Sequence, residues 1–280
     1  MHDVIESGGL RLTAHVARPP SERLPIRAGL VLCHGFPAGP RSPESSSQSY
    51  PQLADRLAAD AGWTVLSFNF RGTGGSGGDF SLNGWIDDVR AAVDHLLEVE
   101  GVDAVWLAGA STGGSAAICA AAEDERVRGV AALSARADFD DWAAHPKRFL
   151  QHAREIGVIR DPLYPANVDA WIRQLKETRP LAYVAKLAPR PLLLIQGSDD
   201  DVVPSLDARA LADCHGQADL RIINGAGHTL RHDPRAIAIL LGWLERQLPT
   251  SPADPEEPDF DEADPDVTRP SLDPPPSAPS

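Results

Sequence analysis

The stretch VWLAGASTGGSAA, residues 105–117, restricts the fold of this chain more than any other. It passes from apolar strand formers through a serine set among glycines into a run of small residues suited to a helix. Gly109, Ser111 and Gly113 spell G-x-S-x-G between a strand and a helix, the context that turns a common pentapeptide into a nucleophile elbow. A turn that sharp strains the backbone at the serine and crowds the residues two before and two after it, which must then lack a Cβ. It also raises the Ser111 hydroxyl above the sheet, at a helix N-terminus where free N–H groups stabilise developing negative charge.

The surrounding sequence alternates strands with helices, which predicts an α/β domain on a mostly parallel, doubly wound sheet. Apolar runs at 29–34, 64–70, 104–109, 127–134, 191–197 and 220–225 read as strands. Windows at 50–62, 85–101, 113–122, 205–216 and 234–248 read as helices. In the second window Ile86, Val89, Val93, Leu96 and Leu97 recur with helical spacing and mark a buried face. ESGGLRLTAHV, before Gly29, reads as an opening hairpin. Between 136 and 186 the rhythm lapses, and Phe139, Trp142, Phe149, Tyr164, Trp171 and Tyr183 concentrate there. An inserted helical cap is expected, its rings either lining a pocket or burying the cap's own helices.

The last stretch, 249–280, holds ten prolines and nine acids against one arginine, and is expected to be disordered. It carries −8 of the formal net charge of −14, leaving −6 for residues 1–248, the predicted domain. No basic run suggests nucleic acid, and no apolar stretch reaches the length of a membrane span or a signal peptide. Cys33, Cys119 and Cys214 lack the spacing of a zinc site and are expected as reduced, buried thiols of a cytoplasmic protein. Gly72, Gly74 and Gly77 satisfy G-x-G-x-x-G after a strand, but Gly78, Asp79 and Phe80 follow in place of a helix start. A phosphate would lack its helix N-terminus there, so no nucleotide cofactor is expected.

A serine hydroxyl is a feeble nucleophile until an imidazole takes its proton, and the imidazole needs a carboxylate to fix its tautomer. Downstream of Ser111 the strand PLLLIQG runs into SDDDVVP, and INGAGH then delivers His228 just before the terminal helix. The order Ser, Asp, His is that of the α/β-hydrolase triad. HGFPAG (34–39), NFRGTGGSGGDFS (69–81), GASTGG (109–114), GSDDDVVP (197–204) and GAGH (225–228) together resemble the α/β-hydrolase superfamily, in its esterase and prolyl-oligopeptidase-like or serine-aminopeptidase-like branches. The resemblance covers about residues 29–248.

The resemblance implies an α/β-hydrolase fold with Ser111 as nucleophile and His228 as base. The family pattern G-x-x-D-x-x-V-P selects Asp200 as the acid through Gly197, Val203 and Pro204, with Asp199, Asp201 and Asp138 as alternatives. His232 is the rival of His228, and His34 matches the histidine that props the oxyanion loop. His145, His152 and His215 are expected on the surface or in the cap. Backbone N–H groups of Thr112 and Phe36 are the expected oxyanion donors, since Pro37 has none to give. Phe36, Trp142 and Trp171 are the substrate-lining candidates, and Arg71 and Ser76 belong to a loop that shapes the site.

These features imply cleavage of small or medium carboxylic esters through an acyl-enzyme, without metal or organic cofactor. A thioesterase, an amidase or peptidase, and a cofactor-free carbon–carbon hydrolase or perhydrolase use the same groups, and a non-catalytic binding protein shares the fold. The expected partner is a small-molecule acyl substrate, with neither nucleic acid nor membrane; the oligomeric state carries no signal in the sequence.

Overall fold

A computed structural model of the chain describes residues 3–20, 27–39 and 49–248. The tail at 249–280, for which composition predicts disorder, lies outside the described residues. The chain opens with a hairpin of β1 (Asp3–Ser7) and β2 (Leu10–Ala17), paired antiparallel. Its two-residue turn, Gly8 and Gly9, takes φ of 56° and 80°. Positive φ at both central positions matches the right-handed twist of the strands, and glycine reaches it without strain.

Six parallel strands follow: β3 (Ala28–Cys33), β4 (Thr64–Phe68), β5 (Ala104–Ala110), β6 (Val127–Leu133), β7 (Leu192–Gly197) and β8 (Asp219–Ile223). They are the six runs expected from the sequence. With the hairpin they make one eight-stranded sheet in the order β1-β2-β4-β3-β5-β6-β7-β8, β2 lying antiparallel to β4. Alternate residues of the inner strands serve opposite faces, as a pleated strand requires. Val31, Leu107, Val130 and Leu194 are buried with α2 (Leu82–Asp94) and α3 (Thr112–Glu123). Leu30, Trp106, Ala131 and Leu193 are buried with α1 (Tyr50–Ala61) and α9 (Pro234–Glu245). Burying each large aliphatic side chain contributes roughly 1.5–3 kcal/mol, so the doubly covered central strands anchor the fold.

The strand order reverses between β3 and β5: the chain leaves β3 toward β4 on one side, then crosses to β5 on the other. Loops leaving the carboxyl ends of two such strands diverge and open a crevice, the usual ligand position in this architecture. Cys33 at the end of β3 pairs with Gly109 in β5, so the loop after β3 and the Ser111 turn start side by side.

The helix expected at 85–101 differs from expectation at both ends. α2 begins at Leu82 rather than 85, because the Ser81 side chain accepts the Gly84 N–H at 3.0 Å and caps the helix earlier. Its last turn widens into a π-helix over His95–Val99. Between β6 and β7 lie α4 (Asp140–Ala144), α5 (Pro146–Glu155), α6 (Val168–Glu177) and α7 (Pro180–Val184), followed by a 3-10 turn that leads toward β7. α8 (Ser205–His215) joins β7 to β8. Cys33 and Cys119 are buried as expected, but Cys214, near the end of α8, is exposed. His215 takes the inward position there instead, buried, with Nδ1 accepting from Gln217 N–H and Nε2 donating to the Arg190 carbonyl. That corrects its expected surface placement.

The glycine-rich loop after β4 is fastened to its surroundings by Arg71. Its guanidinium donates to Asp88 (Nη2 to Oδ1, 2.7 Å), its own N–H reaches Asp88 Oδ2 at 2.8 Å, and Ser7 Oγ adds a bond of 2.7 Å to Oδ1. The Asp88 side chain is wholly buried, so the network ties α2, the hairpin and the loop together. Asp88→Ala would strand a largely buried guanidinium, at an expected cost of about 3 kcal/mol. In a domain of this size that lowers Tm by roughly 10 °C, measurable by scanning calorimetry.

Candidate active site

Ser111 is the point where β5 becomes α3. Its backbone sits at φ 51° and ψ −126°, a conformation that L side chains rarely adopt. Its N–H donates to the Leu133 carbonyl of β6 at 2.8 Å, which pins the strained residue from the neighbouring strand. A Cβ on Gly109 would lie 2.6 Å from the Gly113 carbonyl carbon and the Gly114 nitrogen. One on Gly113 would collide with the His34 carbonyl oxygen and lie 2.6 Å from that of Cys33. Both glycines are therefore demanded by close backbone approach at the turn. Gly113→Ala has only backbone to push against, so we expect a loss of more than about 2 kcal/mol in urea denaturation.

The carboxylate and imidazole arrive on two loops zipped together beyond β7 and β8. Ser198 N–H donates to the Ile223 carbonyl at 3.0 Å and Asp199 N–H to the Ala226 carbonyl at 2.9 Å. Within this pair, His228 Nδ1 lies 2.9 Å from Asp200 Oδ2. Asp200 Oδ1 accepts from the N–H groups of Val202 (3.0 Å) and Val203 (2.8 Å), and Oδ2 accepts from Gln196 Nε2 at 3.0 Å. Burial works against its charge, but the bonds from His228 and the Val203 N–H outweigh it and hold the carboxyl down at about 2. The alternatives lie elsewhere: Asp199 is exposed and bonds Ser198 Oγ, Asp201 is exposed, and Asp138 lies 3.5 Å from Arg179. His232 is exposed, in a 3-10 turn.

Ser111, Thr112 and His228 line one cavity of about 240 Å³, together with Phe36, Trp142 and Arg136. Among the described residues no hydrogen bond joins Ser111 Oγ to His228; the two share the cavity without that contact. Such bonds often tighten only when substrate is present. The Phe36 ring meets that of Trp142 at 5.1 Å, and Trp142 stacks on Phe149 at 4.1 Å. Trp171 does not line the cavity: it is buried behind Phe149 and donates its Nε1–H to the Phe80 carbonyl at 3.1 Å. Its candidacy for substrate contact is thereby corrected. His152 and Arg136 do reach the cavity, and the sequence reading missed both. They stand on or beside the irregular insertion, where neither helical nor strand periodicity tells inward from outward.

His34 fixes the loop after β3. Its Nε2 accepts from the Phe70 N–H at 3.2 Å, so Nδ1 carries the proton and donates to the Gly35 carbonyl at 2.8 Å. In a trans peptide the C=O and the following N–H point oppositely. Holding the Gly35 oxygen therefore turns the Phe36 N–H away from His34. Thr112, expected to be the other donor, is the first residue of α3. No cluster of three or more His, Cys, Asp or Glu able to hold a metal stands among the described residues, and no helix among them is long and apolar enough to cross a membrane.

A crevice at the reversal of a doubly wound sheet, with a strained serine at its floor, defines the class as a hydrolase fold. The chain belongs to the alpha/beta hydrolase family, whose model matches residues 30–240. The curated Mycobacterium tuberculosis protein Rv2307c, itself uncharacterized, is 30% identical over 224 residues, which make up 78% of this chain and 69% of that protein. Among solved structures, the alpha/beta hydrolase GrgF from Penicillium sp. matches with a TM-score of 0.65 at 20% identity, over 89% of this chain and 98% of that one. XC6422 from Xanthomonas campestris, an a/b serine hydrolase without lid, matches with a TM-score of 0.57 at 22% identity, over 90% and 96%. Est1E from Butyrivibrio proteoclasticus matches with a TM-score of 0.64 at 20% identity, over 88% and 96%.

Proposed function

We propose that the protein is a serine hydrolase that cleaves small or medium carboxylic esters. Ser111 Oγ attacks the ester carbonyl while His228 takes its proton, and the N–H groups of Phe36 and Thr112 receive the oxyanion. Collapse of the tetrahedral intermediate expels the alcohol, to which His228 returns the proton. Water, activated by the same imidazole, then releases the acid from the acyl-enzyme. Asp200 orients His228 and offsets its charge when protonated. The observation that carries this reading is the 2.9 Å contact of His228 Nδ1 with Asp200, because it leaves Nε2 as the ring's proton-accepting atom in a cavity shared with Ser111.

An ester is favoured by the apolar wall of Phe36, Trp142 and Phe149, which suits an acyl chain. Est1E has also been solved with ferulic acid bound, and a carboxylic acid is what ester hydrolysis releases. Residues 1–248 form the hydrolase domain in this reading, with 136–186 as a cap over the cavity and a cytoplasmic location that keeps the cysteines reduced. A fluorophosphonate should label Ser111, and p-nitrophenyl esters of graded acyl length should turn over faster than peptide substrates. Absence of label on folded protein would leave a binding protein on a hydrolase fold.

A further inference from the structure

The guanidinium of Arg136 reaches the cavity beside Ser111, and among the described residues no carboxylate lines that cavity. Arg136 follows β6, and its backbone is clamped to α3, its N–H donating to Ser115 Oγ at 3.0 Å and its carbonyl accepting from that hydroxyl at 2.9 Å. The side chain is 13% exposed, with the guanidinium carbon 5.2 Å from the centre of the Trp142 ring. Nη1 donates to Asp141 at 3.0 Å, but that carboxylate is 57% exposed, and a solvent-facing pair leaves much of the charge unspent. Asp207, within electrostatic reach, accepts the Ala137 N–H at its Oδ2 instead. The Arg136 Nε–H is buried and has no partner among the described residues.

A guanidinium at the cavity wall, ion-paired among the described residues only with a solvent-facing carboxylate, is suited to an oxyanion of the substrate. Cation–π attraction to the Trp142 face, 5.2 Å away, holds the guanidinium in place, and one guanidinium balances the single charge of a carboxylate, whereas a phosphate group brings close to two. We propose that Arg136 binds a carboxylate on the substrate, so that the enzyme acts on esters whose acyl part carries a second, free acid group. This deepens the ester-hydrolase reading and rests on it. Arg136 is then a specificity determinant: it acts at the far end of the acyl chain and takes no part in the proton transfers.

The test compares p-nitrophenyl half-esters of succinic, glutaric and adipic acid with neutral p-nitrophenyl esters of equal chain length. At least one half-ester should exceed its neutral match by tenfold or more in kcat/KM. In Arg136→Gln that ratio should collapse toward one, and Arg136→Lys should restore only part of it, because the ammonium keeps the charge and loses the fork. Equal turnover of charged and neutral esters by the wild type, or a parallel loss on both in Arg136→Gln, overturns the proposal, as does a stronger preference for a phosphate-bearing ester. Fluorophosphonate labelling of Ser111 monitors both the integrity of each variant and the hydrolase reading itself. Independently of turnover, saturation-transfer NMR should detect glutarate but not 1,5-pentanediol on Ser111→Ala, and lose glutarate when Arg136→Gln is added. Glutarate binding that survives that second substitution counts against Arg136 even in a protein that cleaves no ester.

Discussion

Ser111→Ala is expected to lower kcat on a p-nitrophenyl ester by roughly three to six orders of magnitude and to abolish fluorophosphonate labelling. The residual rate would come from whatever oxyanion donors and binding contacts survive. The substitution removes one oxygen from a residue whose backbone is already pinned through the Leu133 carbonyl and the start of α3. Stability should therefore change little, and circular dichroism should report an intact fold. A variant retaining a tenth of the wild-type rate would show that another group performs the attack.

Asp200→Asn should be the second largest effect, a fall of about 10³–10⁴-fold in kcat. The Oδ1 position is fixed as an acceptor by the N–H groups of Val202 and Val203, so the new amide must place its NH₂ at the Oδ2 position. There it faces His228 Nδ1 and the Gln196 Nε2 donor. The imidazole would then accept at Nδ1 and carry its proton on Nε2, the wrong tautomer for a base. Stability follows pH as well. The Asp200 carboxyl lies at about 2 when folded, below its ordinary value near 3.9, so its contribution is complete above pH 4 and fades as pH falls toward 2. The shift corresponds to about 2 kcal/mol. Urea titrations at pH 7 and pH 2 should show the stability gap between wild type and Asp200→Asn narrowing by that amount.

How much of this was legible in the sequence depended on whether backbone or side-chain packing dictated the residue. The turn around Ser111 was readable because glycine is forced at 109 and 113 by distances no Cβ tolerates, and that demand survives in any sequence adopting the turn. The parallel strands were readable because burial on both faces leaves unbroken apolar runs. Asp88 was not: it lies between Ile86 and Val89 and beside an exposed Asp87, and nothing local distinguishes the buried acid that meets Arg71 from the surface acid that meets Arg90. Trp142 and Trp171 were equally opaque, since both are aromatic residues of one irregular insertion and only tertiary packing puts one at the cavity and the other behind Phe149.

The way His34 grips the Gly35 carbonyl separates two tasks at the neighbouring position. The amide of residue 36 is aimed by a ring outside it, whereas its side chain projects among Trp142, Phe149 and Phe80 and takes no part in that aiming. Exchanging the ring for a smaller or larger group would resculpt the room available to an acyl chain while the amide keeps its bearing. If the proposed ester hydrolysis holds, side-chain changes at residue 36 should alter substrate preference while the backbone donor stays in place.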